Sequence, residues 1–158
     1  MGIFNIGKSG NAGKLMSFSY SPGYSDMRGA YHGDSLEKND DGNWVFVCSN
    51  RECHSDPTLV TTYSVSEEAA SEFEAYIKSV NLIKLSKRPK SDIFATDYSP
   101  WRYSIVFDCS EVGGSGYDDY CISQYKVYSP SDMKLLKEAS DRFYSLKGEL
   151  ISEREEED

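Results

Sequence analysis

The chain has 158 residues, with 17 Lys and Arg against 26 Asp and Glu, a formal charge of −9 at pH 7. That length suits one domain, which hides roughly 70% of its unfolded surface, and the charge opposes binding to nucleic acid or to an anionic membrane. No apolar run approaches the roughly 18 residues of a spanning helix, and the first residues lack the basic-then-apolar order of a signal peptide, so a cytoplasmic protein is expected.

Residues 2–9, GIFNIGKS, match the phosphate-loop pattern G-x-x-x-x-G-K-[ST] at Gly2, Gly7, Lys8 and Ser9. The chemistry of that loop needs a buried strand feeding the turn and a helix leaving it. With only Met1 ahead of Gly2, and with Gly10 and Gly13 following, neither is expected, and residues 1–14 read as a flexible segment adding little to the fold.

The first strand is Leu15–Tyr20, whose alternation puts Met16, Phe18 and Tyr20 on one face. A weaker extended stretch runs from Gly29 to Lys38. Asp40, Asp41, Gly42 and Asn43 then supply a tight turn into Trp44–Cys48, where Trp44, Phe46 and Cys48 share a face. Leu59–Val65, rich in β-branched residues, is a fourth strand.

The period changes after Val65. Ser66 is an N-cap followed by Glu67 and Glu68, and Ala69, Phe73, Tyr76, Ile77 and Val80 form one stripe of a helix ending near Asn81. A stretch without acids follows, from Lys78 through Lys84, Lys87 and Arg88 to Lys90. It reads as a solvated helix end and loop. Two further strands, Tyr103–Cys109 and Cys121–Tyr128, flank a polar loop over 110–120. Ser129 and Pro130, with Asp132 three residues after the cap, open a second helix with Leu136, Ala139, Phe143, Leu146 and Leu150 on one face. Residues 152–158 read as a solvated acidic tail.

The order ββββαββα predicts one α+β domain over 15–151. It would be a mainly antiparallel sheet of about six strands with both helices on one face. Cys109 and Cys121, ending the two late strands, are expected opposite one another in a hairpin.

Chemistry-bearing residues are sparse. Cys48, Cys53 and His54 form C-x4-C-H, a poor zinc spacing with no second ligand pair, so no metal or other cofactor is expected. A Cys/His pair, Cys53 or Cys48 with His32 or His54, is the alternative that would make the chain a small hydrolase or transferase. Twelve tyrosines and two tryptophans stand out more. Tyr24, Tyr98, Trp101, Tyr117 and Tyr120 neighbour Gly, Pro, Ser or Asp, where such side chains offer rigid contact area. No motif is specific enough to assign a family. The expected function is that of a small acidic cytoplasmic protein of bacterial type. It would be non-enzymatic and would bind another protein, of basic character, through tyrosine-rich loops.

Overall fold

The computed structural model describes residues 13–23, 29–92, 100–113 and 116–157. Among these residues, seven strands form a single antiparallel sheet: β1 (Lys14–Ser21), β2 (Tyr31–Lys38), β3 (Trp44–Arg51), β4 (Thr58–Ser64), β5 (Arg102–Asp108), β6 (Tyr117–Ser123) and β7 (Leu150–Glu156). Two α-helices, α1 (Glu67–Ser79) and α2 (Pro130–Tyr144), and 3-10 turns over Leu82–Lys87 and Ser110–Val112 accompany it. The class is α+β, as the sequence pattern implies. The spatial order β6-β5-β1-β2-β3-β4-β7 shows how the chain runs. Strands β1 to β4 form a meander, α1 returns the chain to the far side of β1, and α2 carries it back to place β7 beside β4.

Both helices pack on one face. Phe18 of β1 meets Phe73 of α1 at 5.0 Å between ring centroids and Phe143 of α2 at 4.8 Å, and Phe46 of β3 meets Phe143 at 4.7 Å. Leu36, Leu82, Leu85, Ile105, Phe107 and Ile122 complete the fully buried set. The caps behave as the sequence implies. Ser66 Oγ accepts from Ala69 N, and at α2 the Ser129 side chain and Asp132 form a reciprocal capping box behind Pro130. Asp132 is also held by Arg88, whose Nε and NH2 groups donate at 2.9 and 3.0 Å, so part of the basic stretch is an ion-pair partner and not a solvated end.

Several expectations are corrected. Leu15 is buried while Met16 is 37% exposed, because a β-bulge between Leu15 and Ser17 resets the alternation against β5. The expected β2–β3 hairpin is present, its loop running over Asn39–Asn43 between the paired Lys38 and Trp44. Asn39 Oδ1 accepts from Asp41 N and Asn43 N, and Gly42 takes φ 82°. Strand β6 begins at Tyr117, so Cys121 faces Ser104 and is not opposite Cys109. Leu150 lies outside α2 and is exposed in β7. The segment expected as an acidic tail supplies most of β7, with Ser152 to Glu156 paired to β4. Residues 1–12, including the phosphate-loop match, lie outside the described residues. Lys14 already belongs to β1, and the Gly13 carbonyl accepts from Lys78 at 2.6 Å. Among the described residues no helix is long and apolar enough to cross a membrane.

Candidate binding site

Because the helices cover one face, the period-two alternation of the strands turns the remaining side chains to a second face, which no helix among the described residues covers. Ser19 and Ser21 from β1, Ser35 from β2, Ser49 from β3 and Ser104 from β5 line a groove there of about 730 Å³, and Val45 and Val60 are buried elsewhere on the same face. Tyr31, Glu37, Val47, Pro100 and Arg102 complete much of its wall. Gly33 shapes the floor. A methyl group there would come within 2.6 Å of the Tyr31 hydroxyl, so the missing side chain lets the Tyr31 ring lie across the strand. Ser21 Oγ donates to the His32 carbonyl at 3.0 Å and Ser35 Oγ to Glu37 Oε1 at 2.8 Å, while Ser104 Oγ donates to Asp119 at 2.7 Å. The groove therefore carries preset hydrogen-bonding groups with one cationic side chain, Arg102, and one anionic one, Glu37.

The sequence-predicted contact residues separate. Tyr117 is 66% exposed on β6, paired with Asp108. The register places it on the bare face, together with Asp119 and Cys121. Tyr120 points the other way and meets the Phe107 ring edge-on at 6.1 Å, so it belongs to the packed side. Both are strand residues, not parts of a loop tip. Trp101 sits on the helix face, stacked on Tyr128 at 6.0 Å and edge-on to Tyr103 at 6.0 Å. Tyr24 and Tyr98 lie outside the described residues. Tyr31, which sequence reasoning passed over, is 45% exposed beside the groove. Its signal is its position two residues before Gly33 at the head of a strand.

The candidate cysteine and histidine residues fall into two environments. Asp34 is buried opposite Cys48, and its Oδ2 accepts the Tyr144 hydroxyl at 2.5 Å and meets His32 Nε2 at 3.0 Å. The other oxygen, Oδ1, is buried with no hydrogen-bond partner by distance and angle among the described residues, and the Cys48 thiol lies beside the carboxylate. Burial, and then the neighbouring Asp34 carboxylate, push the Cys48 thiol up to about 12. A nucleophilic cysteine needs the opposite shift. Burial also raises the Tyr144 hydroxyl, with Asp34 adding to it. Cys53 lies in the turn before β4, donating to Asp56 Oδ2 at 3.3 Å and meeting Ser55 Oγ at 3.1 Å. The His54 ring instead packs on Gly29, where a Cβ would lie 2.4 Å from it; that glycine has φ 81° and its carbonyl accepts from Arg51 Nε. The histidine rings are thus committed to Asp34 and to Gly29. Among the described residues no group of three or more His, Cys, Asp or Glu side chains is gathered so as to hold a metal ion. Asp34 was missed in the sequence, although an acid two residues from Leu36, on the same inward face, is a signal that a buried polar network is present.

No protein-family model matches this chain, and neither a curated protein nor a solved structure matches it.

Proposed function

We propose that this chain is a non-enzymatic, cytoplasmic binding module that engages a basic protein partner through the bare face of its sheet. The observation that carries the reading is the hydroxyl-lined groove between Tyr31 and Arg102 on a face that no helix among the described residues covers. Tyr and Arg are, with Trp, the side chains most often dominant in protein contacts, Tyr through a rigid amphipathic ring and Arg through its planar array of donors. The charge of −9 supplies long-range attraction for a basic surface and repulsion for nucleic acid. The thiol of Cys48, held protonated beside Asp34, weighs against Cys48 as the nucleophile of the hydrolase or transferase alternative.

The test is affinity capture from the source cell with the unaltered protein and with a Tyr31→Ala, Arg102→Ala double variant. A partner retained by the first and lost by the second, at equal melting temperature, is the expected result. A partner retained equally by both would overturn the assignment of this face.

A further inference from the structure

On the opposite side of the sheet, α2 leaves a second, smaller groove against β1 and β5. Met133, Leu136, Lys137, Ser140 and Asp141 recur at helical spacing along one side of α2 and face Tyr20, Tyr103 and Trp101 across a space of about 330 Å³. The rings are arranged as a corner. Trp101 stands at 75° to Tyr103 with centroids 6.0 Å apart, and Tyr20 lies 4.5 Å from Tyr103 at 34°. Both tyrosine hydroxyls are raised above their ordinary pKa by burial, so they remain neutral. At the rim, Asp141 accepts from Lys137 Nζ at 2.9 Å across one helical turn, with both side chains largely exposed.

Two partly exposed electron-rich rings, Tyr20 and Trp101, backed by the buried Tyr103 and bordered by a carboxylate, have the chemistry that selects an organic ammonium ion. The volume suits one head group. We propose that this corner binds the methylated or free ammonium of a lysine side chain presented by a partner, with Trp101 and Tyr20 as walls and Asp141 as counter-charge. Lys137 now holds the place of that cation outside the rings. Its exposed pairing is weak, so an incoming ammonium that also gains the ring faces displaces it. The inference rests on the function proposed above only for the basic character of the partner, and its test uses isolated probes on the other face of the sheet.

The probe is acetyl-trimethyllysine amide, followed by fluorescence in a Trp44→Phe background that leaves Trp101 as the reporter. A saturable change is expected, about tenfold tighter than for the uncharged tert-butyl analogue of the same length. Asp141→Asn should weaken binding and Lys137→Gln should strengthen it, each severalfold, while Tyr31→Ala changes nothing. The Asp141 and Lys137 side chains are exposed, so both variants are expected to fold, which their melting temperatures will verify. Equal affinity for the uncharged analogue, or no response to either variant, would overturn the site. Choline binding as tightly as the lysine derivative would overturn the assignment to a partner's side chain.

Discussion

Asp34 concentrates several of the molecule's unusual interactions in one side chain. A buried carboxylate is tolerated where hydrogen bonds replace its lost hydration, and here Tyr144 supplies a short bond from α2 to a β2 residue. Tyr144→Phe keeps the ring contacts with Phe46 and Phe143 but strips that bond, and should cost about 1–3 kcal/mol in urea denaturation. The same carboxylate governs thiol behaviour. With Cys48 pushed up to about 12, alkylation at pH 7.5 should modify Cys53 well before Cys48, as read by mass spectrometry of timed samples. Rapid modification of Cys48 would revive the nucleophile reading. Mild oxidation should not join Cys109 to Cys121. Cys109 N bonds the Gly116 carbonyl, and the five residues from 116 to 121 span about 16 Å of strand. Cys109 donates instead to Asp118 at 3.0 Å.

Helix α2 separates the contributions of a cap, an ion pair and a core contact. Ser129→Ala should lower stability by about 1 kcal/mol, whereas Phe143→Ala, which removes a ring in contact with Phe18, Phe46 and Phe73, should cost about 3–5 kcal/mol. Asp132 adds a pH signature. The Arg88 guanidinium holds its carboxyl down at about 2, below the ordinary carboxylate value of 3.8. A depressed pKa contributes stability above the unfolded value and loses it as pH falls through the folded one. The difference in melting temperature between the protein and Asp132→Asn should therefore be constant above about pH 5 and shrink as pH falls towards 2. A difference independent of pH would mean the pairing contributes nothing as a charge. Elements such as α2 were legible because caps and apolar spacing are local. Trp44 and Phe46 on β3, and Phe73 and Ile77 on α1, likewise announced their faces. The start of β6 and all of β7 were not legible. Tyr117 to Tyr120 read as a polar loop, and LISEREE lacks a buried face, since an edge strand takes its conformation from the neighbour it pairs with. The bulge at Leu15 and the Asp34 cluster depend on register with other strands, which no local pattern contains. For the proposed binding surface, the sequence singled out aromatic residues. It could not separate Tyr117, on the bare face, from Tyr120 and Trp101 on the helix side, because that division follows from pairing.

The two borders of the whole sheet are β6 and β7. Strand β7 is exposed along its full length, yet it covers the edge of β4, whose Val60 is buried. Its glutamates also discourage a further strand from adding outside it. Ending the chain after Glu149 would uncover that apolar edge. We expect a lower melting temperature and concentration-dependent light scattering, where loss of an unstructured tail would change neither.

The same strand order has a temporal consequence. Strand β1 sits near the middle of the sheet, but the partner on its other side, β5, is encoded only at Arg102. At about 5–20 residues per second of synthesis, the freshly made β1–β4 meander waits several seconds with an unsatisfied flank. During that interval Phe18 and Phe46 also lack Phe143, which comes later still. A nascent chain of this design spends its most vulnerable moments half-assembled, and its dependence on ribosome-associated holding factors should exceed that of a protein whose neighbouring strands are neighbours in time.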